Sequence, residues 1–144
     1  MDIIFDVDGT LMNIDHRRKF VENRPKDFKA FRDATEHDTP NKDVFAIAQA
    51  MRLAGHRIII ASGRNKSQRD ITEAQMIAGG IVPEAFYMRS DKDYRADYIV
   101  KREMLDKIRA DGYDPVLVFD DRTSVVNMWR EAGLRAVQVA PGDF

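Results

Sequence analysis

Met1-Asp2-Ile3-Ile4-Phe5-Asp6-Val7-Asp8-Gly9-Thr10 opens the chain with a short apolar run that ends in two acids and a glycine. Ile3-Ile4-Phe5 lacks the polar alternation of a half-exposed strand, so it reads as a strand buried on both faces. Asp6 and Asp8 then project the same way from its carboxyl end. An Asx turn explains one such acid pair, but charges at the end of a buried strand ask for a partner.

Similar runs recur at Ile58-Ile59-Ile60-Ala61, Ala85-Phe86-Tyr87-Met88, Val116-Leu117-Val118-Phe119 and Ala136-Val137-Gln138-Val139. Helical spacing of apolar residues separates them. One helix is expected to start at Thr39-Pro40, as N-cap and first-turn proline, and to stop at Gly55. Others are expected over Ser67 to Ala78 closed by Gly79, Arg95 to Ala110 closed by Gly112, and Ser124 to Ala132 closed by Gly133. Strands alternating with helices demand right-handed crossovers, so the fold class is α/β: a doubly wound, five-stranded parallel sheet. In such sheets ligands bind beyond the carboxyl ends of the strands, near the switch in strand order.

Residues 12–38 break the alternation with a polar stretch carrying Phe20, Phe28 and Phe31, read as a small insertion over that end of the sheet. The spacing of Phe28 and Phe31 predicts a short helix packed on the body. The length of 144 residues suits one domain over 1–144 with the insertion inside it.

Lys+Arg 23 against Asp+Glu 24 gives a net charge of -1, so no global field draws the chain to a polyanion, and any such ligand must be gripped locally. The absence of cysteine removes disulfides, thiolate metal sites and cysteine nucleophiles. No stretch has the length and apolarity of a membrane span, and the N-terminus has no leader pattern, so a cytoplasmic location without membrane partners is expected.

Asp120-Asp121 follows the Val116–Phe119 strand as Asp6 and Asp8 follow the first. Carboxylates converging in a partly dry cleft repel, and a hard divalent cation with oxygen ligands resolves the repulsion; magnesium suits such a site. After a further strand, Ser62-Gly63-Arg64 offers a hydroxyl, a close-approaching backbone and a guanidinium to phosphate oxygens. Lys101 lies on the helix before the Asp120 strand and supplies a compact positive charge. Together these positions describe a phosphoryl-transfer site.

Asp6-x-Asp8-x-Thr10, then Ser62, then Lys101, then Asp120-Asp121 resembles the haloacid dehalogenase superfamily signature, in order and across essentially the whole chain. Within it the sequence is similar to the 3′-phosphatase domain of bacteriophage-type polynucleotide kinases, through Asp97-x-x-Val100-Lys101, Asp120-Asp121-Arg122, Val126-x-Met128-Trp129-Arg130 and Gly142-Asp143-Phe144. The resemblance implies a Rossmann-like core with the 12–38 insertion as a cap. It implies Asp6 as nucleophile, Asp8 as general acid and then base, and Ser62 and Lys101 on the phosphoryl oxygens. Magnesium is implied on Asp6, the backbone carbonyl of Asp8 and Asp120, with Asp121 direct or through water. Thr10, Gly63, Arg64, His16, Arg17, Arg89 and Arg95 are candidate substrate contacts, Trp129 reads as core, and His37 and His56 carry no assignment.

The expected activity is magnesium-dependent removal of a 3′-phosphate from a nucleic acid end, for repair or ligation, with a separately encoded kinase or ligase as a conceivable partner. No G-x-x-x-x-G-K-[ST] loop occurs, so no kinase activity is expected from these residues. A nucleotidase acting on free nucleoside monophosphates is the alternative enzyme. A phospho-receiver module shares the sheet and the clustered acids, but it places its acceptor after a middle strand, where this chain has Arg89-Ser90-Asp91.

Overall fold

The computed structural model describes residues 1–144. Five parallel strands form the sheet: β1 (Asp2–Phe5), β4 (Arg57–Asn65), β5 (Ala85–Arg89), β6 (Pro115–Asp120) and β7 (Arg135–Gln138). Their spatial order is β5-β4-β1-β6-β7, with β1 at the centre. The chain winds outward from β1 through β4 to β5, then crosses back to lay β6 and β7 on the far side. The switch therefore falls beside β1, where Asp6 and Asp120 end adjacent strands.

Period-two alternation assigns the two cores. Ile3, Phe5, Ile58, Ile60 and Phe119 face α3 (Lys42–Leu53) and α4 (Arg69–Ala78), burying Val44, Phe45 and Met76 with them. Ile4, Ile59, Ala61 and Val118 face α5 (Asp97–Ala110) and α6 (Thr123–Glu131), with Val100, Leu105, Val125 and Trp129. Ile3, Ile4, Ile59 and Ile60 have no exposed surface, each contributing about 1.5–3 kcal/mol of burial. Phe5 and Phe119, paired in register across β1 and β6, stack with centroids 4.6 Å apart immediately beneath the acids.

Three expectations need correction. Thr39–Pro40 is not the start of a helix but a short strand, β3, pairing antiparallel with β2 (Met12–Asn13). Asn41 donates its backbone N–H to the Leu11 carbonyl and its side-chain amide to that of Thr10, which keeps the chain extended until Lys42. Gly79 does not close its helix through a left-handed turn: its φ is -77°, and Gly80 takes the positive φ of +93°. Gly79 is small for space instead, because a Cβ there would lie 2.2 Å from the Phe45 ring.

The third concerns the insertion, which carries two short helices, α1 (Lys19–Glu22) and α2 (Phe28–Asp33), between β2 and β3. Phe31 lies under the Arg17 guanidinium at 4.2 Å, whereas Phe28 is 56% exposed. Helix spacing put both aromatics on one side, but a six-residue helix at the surface has only one turn to bury.

Candidate active site

The turn after β1 brings the first acid into contact with the middle of the chain. Lys101 Nζ donates to Asp6 Oδ1 at 2.7 Å and to Asp120 Oδ2 at 2.9 Å, while Thr10 Oγ1 donates to Asp6 Oδ2 at 2.9 Å. Trp129 Nε1 donates to Asp120 Oδ2 at 3.1 Å, and the backbone N–H of Asp121 to Asp120 Oδ1 at 2.8 Å. All five side chains are buried. Trp129 is thus core, as read from sequence, and also fixes an acid through its indole N–H, which spacing alone did not reveal. Gly9 (φ +80°) lets this turn close, since a Cβ at that position would lie 2.1 Å from Asp121 Oδ2.

Asp6, Asp120 and Asp121 each offer a carboxylate oxygen within 4.8 Å of the others. One lysine faces three acids. Burial pushes the Asp6 carboxyl well up, Asp120 adds to it, and Lys101 only partly opposes it. Asp121 is raised for the same reasons, burial first and Asp120 second. Burial pulls Lys101 down, but Asp120 and Asp6 outweigh it and hold the ammonium charged. An oxygen-only donor set with surplus negative charge fits a hard divalent cation at Asp6, Asp120 and Asp121.

Asp8 belongs to a second cluster. Its Oδ1 accepts from Arg17 Nη2 at 2.9 Å and from Arg64 Nε at 2.8 Å. Both guanidiniums also grip Asp38: Arg17 through Nε and Nη2 at 2.8 and 2.7 Å, Arg64 through Nη2 at 2.9 Å. Thr72 and Gln75 take the remaining fork of Arg64, and His16 Nε2 lies 2.7 Å from Asp38 Oδ1. Two arginines and two aspartates balance. Burial favours the neutral acid at Asp8, but Arg64 and Arg17 outweigh it and leave its carboxyl lowered. Asp38, the hub of this cluster, carries no signal in the sequence, where it is one acid in a polar stretch.

The family described as the polynucleotide kinase PNKP phosphatase domain matches residues 1–144. The chain belongs to this phosphatase family. Solved structures agree with that membership. A chain of the Pnkp1/Rnl/Hen1 complex is 31% identical with a TM-score of 0.84, covering 99% of this chain and 47% of its own length. A chain of the Pnkp1/Rnl/Hen1 RNA repair complex matches at 31% and 0.80, covering 99% and 43%. This phosphatase therefore spans less than half the length of those relatives. A hydrolase from Streptococcus pneumoniae TIGR4, 18% identical with a TM-score of 0.68 over 97% of this chain and 92% of its own, shares the fold.

The remaining candidates of the phosphatase are placed as follows. Ser62 is buried and its Oγ accepts the Arg64 backbone N–H at 3.1 Å; it makes no hydrogen bond to Asp6 or Lys101. Gly63 approaches Asp97, where a Cβ would lie 2.8 Å from Oδ1. Arg89 clamps this strand end, donating to the Gly63, Asp93 and Arg95 carbonyls and pairing with Asp97. Arg95 joins Asp93 and Glu103 in an exposed network rather than the acid clusters. His37 and His56 are outside both clusters, His37 beside Glu36 and His56 beside the terminal amine.

A cleft of about 400 Å³ is lined by Gly9, Asn13, Ile14, Arg18, Pro141 and Phe144 among others. The larger hollow, about 540 Å³, runs along β5 between Lys66, Phe86, Lys107 and Tyr113 and contains no residue of either cluster. The smaller cleft is the one beside the acid cluster, because Gly9 and Arg18 both abut Asp121.

Proposed function

We propose that this phosphatase removes the 3′-phosphate from a nucleic acid end, by a magnesium-dependent reaction through a phospho-aspartate on Asp6. The observation that carries the reading is Asp6 itself, a buried carboxylate held by Lys101 and Thr10 beside Asp120 and Asp121. Its membership in the polynucleotide kinase phosphatase family supports the 3′-end as substrate, and so does the RNA repair complex in which a relative occurs.

Asp6 attacks phosphorus, the P–O bond to the sugar breaks, and the leaving 3′-oxygen takes a proton from Asp8. Water, deprotonated by Asp8, then cleaves the acyl phosphate and restores Asp6. Lys101 balances charge on the phosphoryl oxygens, and Ser62, within β4, donates its hydroxyl to them. Bound magnesium would neutralise the Asp6, Asp120 and Asp121 cluster, with the Asp8 carbonyl as a further ligand, and draw charge from the phosphoryl group. Asp8 holds its proton only when Arg17 and Arg64 relax their grip on Oδ1, and an incoming phosphate dianion is the competitor able to draw them off. The 12–38 segment acts as the cap: Arg17 and Asp38 carry it onto Asp8 and Arg64.

The test is an acid quench of the enzyme mixed with an oligonucleotide bearing a labelled 3′-phosphate. Label should appear transiently on the protein and be absent from Asp6→Asn, which keeps its fold but loses turnover by at least about 10³-fold. Turnover with no label on the protein, or substantial activity in Asp6→Asn, removes Asp6 as nucleophile.

A further inference from the structure

Three arginines approach the acid clusters and a fourth, Arg122, follows Asp121 in the chain and faces Asp97; they differ in how many of their donors the protein consumes. Arg17 and Arg64 are engaged through every guanidinium nitrogen, with bonds to Asp8, Asp38, Phe31, Thr72 or Gln75. Arg18 and Arg122 are not. Arg18 spends only Nε, on Asp15 at 3.2 Å, and its Nη2 lies 3.7 Å from Asp121 Oδ2. The guanidinium of Arg122 makes no hydrogen bond, and its Nη1 lies 3.6 Å from Asp97 Oδ2. Those separations give Coulombic attraction without a hydrogen bond, so most of the donors on both forks stay free. Both side chains are partly exposed.

One aromatic ring draws the two together: Phe144 carries Arg18 at 4.6 Å and Arg122 at 4.7 Å from its centroid. Each contact is a cation–π attraction, yet two like charges on one ring repel. With its face engaged by cations, Phe144 serves as a spacer for guanidiniums rather than as a platform for a base. Thr123 fixes the segment leading to it, donating its backbone N–H to the Gly142 carbonyl and its hydroxyl to Asp143. A Cβ on Gly142 would lie 1.9 Å from the Asp121 carbonyl, so this segment is pressed against the acid pair. Arg18 and Phe144 open on the 400 Å³ cleft, whose size is that of a small-molecule site.

We propose that Arg18 and Arg122, spaced by Phe144, form an anion subsite for the internucleotide phosphodiester next to the terminal phosphate. This rests on the 3′-phosphatase reading and deepens it: the subsite makes an oligonucleotide, rather than a free nucleotide, the preferred substrate. A phosphodiester presents two non-bridging oxygens, one for each fork, and the contact of Arg18 with Asp121 sets the subsite beside the acids that meet the terminal phosphate.

The experiment compares wild type, Arg18→Gln and Arg122→Gln on three substrates: a 3′-phosphorylated oligonucleotide, the same oligonucleotide with a neutral methylphosphonate at the last linkage, and a 3′-nucleoside monophosphate. Wild-type kcat/KM should fall about tenfold on neutralising that linkage, the scale of a lost charge-assisted hydrogen bond. Either variant should fall similarly on the ordinary oligonucleotide and respond little to the neutral linkage, with less loss on the mononucleotide. Variants that remain as sensitive as wild type to the neutral linkage, or that lose equally on all three substrates, overturn the subsite. Wild-type turnover indifferent to chain length overturns it while leaving the 3′-phosphatase reading intact; no release from any 3′-phosphate ends that reading itself.

Discussion

Lys101 is the only cation bonded to Asp6 and Asp120, and both carboxylates reach it from adjacent strand ends. Lys101→Met preserves much of the side-chain volume but leaves three buried acids without their counter-charge. Removing one partner of a buried ion pair costs about 3–5 kcal/mol. Urea unfolding in chelator should show a loss of that order, part of it recovered on adding magnesium, and turnover should be lost. A variant as stable as wild type in chelator would mean the acids are neutral in the fold. At this scale the signature acids were legible because buried strands ending in charge are unusual. Asp38 and the Trp129 indole bond were not, because their partners come from chain positions 21 and 9 residues away with no local pattern to mark them.

The insertion is joined to the sheet through charge as well as through the apolar packing of Met12. Arg17 of the insertion and Arg64 of β4 meet on Asp38, which has no exposed side-chain surface. Asp38→Ala leaves two buried guanidiniums with Asp8 as their one shared carboxylate, so a loss of about 3–5 kcal/mol is expected. Turnover should fall with it, because Asp8 loses the frame that orients its partners; Asp38→Asn, which keeps the acceptor oxygen, should recover part of both. Equal activity of Asp38→Ala and wild type would contradict a role for this frame. Sequence pattern marked the helix over Phe28 and Phe31, but it placed Thr39-Pro40 in a helix because proline at a first turn is common. The register with Met12–Asn13 is a tertiary pairing that no local signal carries.

Across the molecule, the far end of the sheet is tied by Asp2, which accepts from Arg57 Nε at 2.6 Å and Nη2 at 2.8 Å and from the Asp114 backbone N–H at 2.7 Å. The Arg57 hydrogen bond lowers the Asp2 carboxyl, burial opposes it, and the Asp114 N–H adds to the lowering. A carboxyl lowered in the fold contributes stability that is full above its unfolded value of about 3.9 and is lost as pH falls through the folded value. The difference in urea midpoint between wild type and Asp2→Asn should therefore be largest near neutrality and shrink as pH falls below about 4. A difference that stays constant would contradict the assignment. The doubly wound sheet was legible in full because fully apolar strands, glycine stops and chain order restrict the topology severely. The clustering of Arg18, Arg122 and Phe144 was not, since it joins the insertion, the turn after β6 and the C-terminal segment. No helix is long and apolar enough to cross a membrane.

The most direct measurement is phosphate release with magnesium from a matched panel: a 3′-phosphorylated oligonucleotide, its 5′-phosphorylated counterpart, and free 3′- and 5′-nucleoside monophosphates. The account predicts preference for the 3′-phosphorylated oligonucleotide, with release abolished by chelation. Preference for the 5′-phosphate or for free nucleotides, or full release in excess chelator, would contradict it.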